Sequence, residues 1–305
     1  MNEKTLYFPV TLSFLGFFIY MRKRFFSFIL IFSFFCGFLS ANDAISSYTR
    51  QKAEDFVTLR VSLKDEPYET AVKKISDLRD EALAGLPPQA VDFEQEQCIL
   101  ETLYFTEIYE HSLVSVGNQK ELRKKMKELM KRAVKCIDSR KKGQVSDWIC
   151  LLAGDATSYY MTRSVTATFL YGFKVKGYYE KALEINPNRA SARVNLGNWL
   201  FYAPQLAGGG KTKAQTQYNI ASVSASIPGE KYMAYIGVSQ INYENKKFDV
   251  AKEYLQKAFD LNLGHSELDI IKKCNSKGYS NFQYLRNRSG IDEEMAEDEK
   301  DDDDR

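Results

Sequence analysis

From Asp43 onward apolar residues recur at three- and four-residue intervals, and no stretch keeps the alternation of a half-buried strand. In 68–83 they stand at Ala71, Val72, Ile75, Leu78 and Ala82, and Pro87-Pro88 ends the pattern. In 93–116 they stand at Ile99, Leu100, Leu103, Ile108 and Leu113, before Gly117-Asn118. Leu122, Met126, Leu129, Met130, Ala133, Val134 and Ile137 then mark a strongly basic amphipathic helix. Gly143, Pro187, Gly208-Gly209-Gly210, Pro228-Gly229 and Gly264 cut the rest into helix-sized pieces. The pieces pair as 43–62 with 67–85, 92–116 with 118–139, 147–162 with 167–186, 189–203 with 211–226, and 230–245 with 247–262. The expected fold is therefore all-α: an α-solenoid of about five stacked antiparallel hairpins. Two short helices near 266–273 and 279–287 form a C-terminal cap. One hairpin cannot hide its apolar face alone, whereas stacked neighbours share a core.

The second half carries a finer pattern. Tyr179 is followed by Ala182 three residues on and Pro187 five after that. Leu196-Gly197 comes next, then Ala214, Tyr218 and Ala221, and a third unit holds Tyr235, Val238, Ser239, Ala251, Leu255 and Ala258. These residues resemble the tetratricopeptide-repeat family. The likeness implies close helix crossings at Ala182, Ala214, Ala221 and Ala258, where a larger side chain would cost about 1–3 kcal/mol, with Gly197 at a small contact position and Ala251 in the repeat packing. It departs at Leu263, where the repeat has proline, and at the connection 204–210, which is longer than the family's. The resemblance covers 178–263; residues 42–177 are similar only as helical pairs. Residues 264–291 are read as capping helices.

A narrower likeness runs through Asn195-Leu196-Gly197-Asn198-Trp199, Tyr202-Ala203-Pro204, Gly208-Gly209 and Lys213-Ala214. It is similar to the central part of the T-component family, exported repeat proteins that accompany TRAP-type solute transporters. That resemblance implies a place beside a periplasmic solute-binding protein, with a ligand-accepting pore.

The first 41 residues are different material. Two apolar runs of 15 residues, 6–20 and 25–39, flank Arg22-Lys23-Arg24, each short of the roughly 20 that span a bilayer. A start at Met21 gives a charged segment, an apolar segment and the small-residue stretch Leu39-Ser40-Ala41, the layout of an export signal with Asn42 as the mature N-terminus. The expectation is an exported, periplasmic protein. The alternatives are an uncleaved inner-membrane anchor, a membrane hairpin, or a lipoprotein joined at Cys36, against which Phe35 is a bulky preceding residue.

Beyond the leader, 42–291 holds 36 basic and 29 acidic residues, while 292–305 holds ten acids against Lys300 and Arg305. A tail so poor in apolar residues is expected to be disordered. The basic surface Arg123, Lys124, Lys125, Lys127, Lys131, Arg132, Lys135, Arg140, Lys141 and Lys142 reads as a solvated face, or as a surface for nucleic acid, for acidic lipid, or for the chain's own Asp301–Asp304.

Catalytic chemistry finds little support. Gly208-Gly209-Gly210-Lys211-Thr212 lacks the first glycine of a phosphate loop, since Gln205 stands there, and a helix precedes it. His111 and His265 are far apart and join no Ser/His/Asp, Cys/His or paired-ligand arrangement. Cys98, Cys136, Cys150 and Cys274 show no C-x-x-C spacing. They read as buried apolar residues, with Cys136–Cys150 the first disulfide to check. No enzyme, cofactor or metal site is expected, and export argues against nucleic acid.

What remains is the inner wall. Ser191, Val194, Asn195, Asn198, Phe201 and Tyr202 from one unit, with Met233, Ile236, Gln240 and Tyr243 from the next, line a candidate groove. Asn198 and Gln240 can hydrogen-bond a backbone or an organic anion, and the aromatics supply contact area. The expected function is a scaffold that binds a protein or peptide there; the alternative is the transport accessory, contacting a solute-binding protein and a small organic ligand.

Overall fold

The chain was described from a computed structural model that covers residues 44–114, 119–162 and 164–303. The leader 1–41, with Met21 and Cys36, lies outside the described residues. Among the described residues there are thirteen α-helices, one 3-10 turn and no strand. They are α1 (Ser47–Leu63), α2 (Tyr68–Ala84), α3 (Phe93–Val114), α4 (Gln119–Asp138), α5 (Asp147–Met161), α6 (Val165–Ile185) and α7 (Ala190–Tyr202). After the turn Gln205–Ala207 come α8 (Lys211–Ser224), α9 (Pro228–Glu244), α10 (Phe248–Phe259), α11 (Ser266–Ser276), α12 (Asn281–Arg286) and α13 (Arg288–Asp303). None is both long and apolar enough to cross a membrane.

Helix starts follow local chemistry. Ser46, Ser146 and Ser164 accept the first free amides of α1, α5 and α6 through their hydroxyls. Ser280 and Gln283 form a capping box at α12. Pro228 opens α9, where its missing N–H costs nothing.

Each helix from α2 to α10 packs against the next. The odd-numbered helices also meet one another: α1 with α3, α3 with α5, α5 with α7, α7 with α9, and α9 again with α1. The return of α9 to α1 is not foreseen by pairing along the chain. The first expected pair is also corrected. α1 packs chiefly on α3 and α9 and reaches α2 through long side chains, with Tyr48 donating to the Ala82 carbonyl at 2.9 Å. Val57, Phe56 and Val61 draw α1 inward, because burying them recovers more free energy than a pairing with the charged α2.

A belt of polar contacts sets the inner helices in register at their N-terminal ends. Glu96 of α3 accepts from Thr49 of α1 at 2.5 Å. Gln95 bonds the Gln144 carbonyl and the Ser146 amide, at 3.1 and 2.9 Å, just before α5. Asp147 pairs with Arg189 at 2.8 Å, before α7. Glu230 of α9 accepts from the Ser191 amide and hydroxyl at 3.0 and 2.8 Å. Three of these carboxylates sit in first helical turns, where the helix dipole favours negative charge. The closure is out of register: Gly229, at the start of α9, abuts the Val57 carbonyl, far along α1. A side chain at Gly229 would collide with backbone there.

Two crossings share one geometry. The Tyr179 ring of α6 lies on Gly154 of α5, and the Tyr218 ring of α8 lies on Gly197 of α7. Each hydroxyl donates to the residue after the glycine, Asp155 at 3.0 Å and Asn198 at 2.7 Å. Ala182, Ala214, Ala221, Ala251 and Ala258 are buried, as are Leu196 and Leu255, while Pro187 is exposed.

The C-terminal end departs from a simple cap. α12 folds against the inner wall, with Phe282 stacked on Phe201 at 4.0 Å. Residues 292–303, read from sequence as disordered, continue α13. Ile291 and Met295 supply the reason, since they pack on Cys274 and Tyr284.

Candidate functional site

Where the inner helices face one another, their side chains are charged rather than apolar. Arg60 of α1 stands 4.0 Å from Glu107 of α3 and donates to the Met233 sulfur of α9 at 2.9 Å. Lys64, just past α1, lies 3.4 Å from Glu110 of α3 and 3.3 Å from Glu267 of α11. Tyr159 of α5 donates to Glu110. Asp155, on the same helix, accepts from Tyr179 and from Asn195 of α7, the latter at 2.7 Å. One cluster thus gathers groups from seven helices and a loop.

Depth varies across it. Glu107 is 2 % exposed, whereas Lys64 and Glu110 keep 29 % and 38 %. Burial pushes the Asp155 carboxyl up to about 6, against the pull of Arg60, Tyr179 and Asn195. Burial also opposes the charge of Glu110, but Lys64, the Tyr159 hydroxyl and Arg60 outweigh it and hold the carboxyl down at about 2. Burial raises the Tyr159 and Tyr179 phenols well above their ordinary range.

Deep in the cluster, Glu107 Oε1 and His111 Nε2 lie 3.5 Å apart, and both are buried without a hydrogen-bond partner. Arg60–Glu107 is likewise longer than the 2.7–3.2 Å of a hydrogen bond. Donors and acceptors there are charged, close and incompletely paired, the condition in which a polar molecule gains most by entering.

The sequence-derived groove divides between this interior and an internal plug. Asn195 and Met233 belong to the charged cluster. Ser191 is spent on Glu230, and Val194 and Ile236 are buried. Asn198 accepts from Tyr218. Phe201 and Tyr202 pack on Phe282, whose carbonyl accepts from Tyr202 at 3.2 Å. Gln240 accepts the Asn281 amide at 2.8 Å, and Tyr243 donates to the Asn275 carbonyl at 2.7 Å. The wall therefore presents few unclaimed polar atoms to a peptide.

Arg60, Lys64, Glu107, Glu110, Asp155 and Tyr159 were not read as a site from the sequence. A signal exists: Glu107, Glu110 and His111 stand among the apolar residues Leu103, Tyr104, Phe105, Ile108, Tyr109 and Leu113, and unpaired charge is not buried there without cause. Among the described residues no group of three or more His, Cys, Asp or Glu could hold a metal ion. Gly208-Gly209-Gly210 follows a helix and a 3-10 turn, and Lys211 pairs with Glu244 at 2.6 Å. His265 precedes the first residue of α11 and donates its amide to Asp65 at 3.0 Å. The four cysteines are free and buried. Cys136 and Cys150 are thus not bridged, and it is the Cys98 thiol that chiefly draws the Cys136 thiol down, to about 7.

No family model matches this chain, and no curated protein matches it.

Proposed function

We propose that this chain is an exported, tetratricopeptide-type superhelix that takes a small polar solute between its inner helices, as an accessory to a periplasmic solute-binding protein. The observation that carries this reading is the cluster of charged side chains, in part exposed, that α1, α3, α5, α7 and α9 bring together. Arg60 and Lys64 would hold an anionic group, and Glu107, Glu110 or Asp155 a cationic or hydroxyl group. The late arrival of α9 on α1 supports helical hairpins winding as a solenoid rather than closing in a flat ring. The resemblance of 195–214 to the T-component family of TRAP transporters points the same way. An open peptide scaffold has less support, because the candidate groove is plugged by α12 and spent on internal bonds.

The test is recovery of the chain from an envelope extract, with native mass spectrometry for bound solute and identification of co-purifying proteins. A solute-binding protein together with a small-molecule adduct is the expected result. Recovery of assembly factors alone, with no adduct, would overturn the reading.

A further inference from the structure

The first turns of α6 carry an apolar stripe that the described residues leave largely uncovered, Trp199 alone lying 6.5 Å from Phe173. Val165, Phe169 and Phe173, spaced by four, are 88, 86 and 67 % exposed, and Leu170 beside them is 59 % exposed. Between Val165 and Tyr179 there is no acidic residue, while Lys174 and Lys176 are present.

Basic side chains of α4 adjoin this stripe. Arg123 and Lys127 lie over the Tyr160 ring at 5.0 and 5.5 Å, and that ring packs edge-on against Tyr171 at 5.9 Å. Lys174 lies over Tyr171 at 5.3 Å. Between α4 and α6 opens a cleft of about 180 Å³ with Met130, Val134, Tyr171 and Tyr178 in its walls and Lys131 and Lys174 as its cations. Lys125 and Arg132, on the far side of α4, pair with Glu101. Among the described residues no carboxylate stands at ion-pair distance from Arg123, Lys127, Lys131 or Lys174.

We propose that the α4–α6 face docks this protein onto an anionic lipid surface. The phenylalanines enter the headgroup–acyl boundary, and Lys131 and Lys174 flank the cleft that receives a lipid phosphate. Charge selects this occupant: exposed Phe and Leu beside unpaired Lys and Arg is the composition of an interfacial membrane contact. Size argues likewise. The nine residues 165–173 make a stripe only about 13 Å long, narrow for the roughly 800 Å² per partner of a stable protein interface. The proposal is independent of any solute in the interior.

The test places a reporter at the stripe, because the apolar leader alone can bring the full chain to a vesicle. Full-length Phe169→Trp is mixed with phosphatidylglycerol vesicles carrying brominated acyl chains, beside the unsubstituted protein, whose Trp148 and Trp199 give the background. An exposed position leaves the melting curve unchanged, so the reporter reads contact rather than folding. The expected result is about twofold loss of the emission that the introduced tryptophan adds, reversed by salt and absent in K127E/K131E/K174E. Unquenched emission from vesicle-bound protein would overturn the proposal, as would equal quenching by uncharged phosphatidylcholine. Shielding from aqueous iodide that grows with protein concentration, without lipid, would also overturn it and assign the face to a protein contact.

Discussion

The pairs α5–α6 and α7–α8 share one crossing geometry and differ in the residue that receives the tyrosine hydroxyl. In both, a tyrosine ring lies on a glycine and its hydroxyl bonds the next residue, Asp155 in one and Asn198 in the other. The glycine and tyrosine set how closely the helices approach. The residue that follows sets what faces inward: a carboxyl pushed up to about 6 and drawn toward Arg60, or a neutral amide. Packing and interior chemistry are thus separable within one repeat of the geometry. The second pair has a further layer, since Phe282 lies nearly parallel to Tyr218 at 6.1 Å.

That extra layer gives the largest expected effect. Phe282→Ala removes a buried ring and should cost about 3–5 kcal/mol, with a lower melting temperature and new binding of a hydrophobic dye at the wall around Phe201. An unaltered melt would mean that α12 contributes no packing. Next come Gly154→Val and Gly197→Val, which drive a side chain into the Tyr179 or Tyr218 ring and should each cost about 1–3 kcal/mol. If only one of the two lowers the melting temperature, the two crossings are not equivalent.

Asp155→Asn gives the first pair the side-chain type of the second. The ordinary value of this carboxyl is 3.8 and its folded value is about 6, so the folded state holds the proton more tightly. Stability from this group therefore falls as pH rises from about 4 to about 6 and stays lower above that. The amide should be stabilising at pH 8, on the order of 1 kcal/mol, and near neutral at pH 4. A stability difference independent of pH would show that Asp155 is not held in a desolvated place. Glu110→Gln should have the smallest effect and the opposite sign. With its folded value near 2 against an ordinary 4.5, Glu110 contributes stability above about pH 4.5 that is lost as pH falls toward 2. The variant should melt lower than the wild type at pH 7, with the gap closing in acid; a gap constant with pH would remove the Lys64 and Arg60 pairing from the account.

Much of the architecture was legible along the chain, because helix period, capping serines and Pro/Gly breaks are local. The alanines at 182, 214, 221 and 258 were readable for the same reason, since family-like spacing marks a close crossing before any neighbour is known. Gly154, which completes the matching crossing in α5, went unread because nothing near it in sequence resembles the unit around Gly197. The interior was harder still. Arg60 and Asp155 lie 95 positions apart, and each alone reads as one more solvated charge.

By itself, then, the sequence determined that the chain would be helical, roughly where each helix begins and ends, and which small residues face a close neighbour. Only the tertiary structure decided that α9 returns to α1, that Phe282 occupies the wall, and that Arg60, Glu107, Glu110 and Asp155 come together in one cluster. The physical reason is range. Backbone hydrogen bonds and side-chain period act over a few residues, whereas the burial of Val57 and Phe282 and the pairing of distant charges take shape only when far parts of the chain meet.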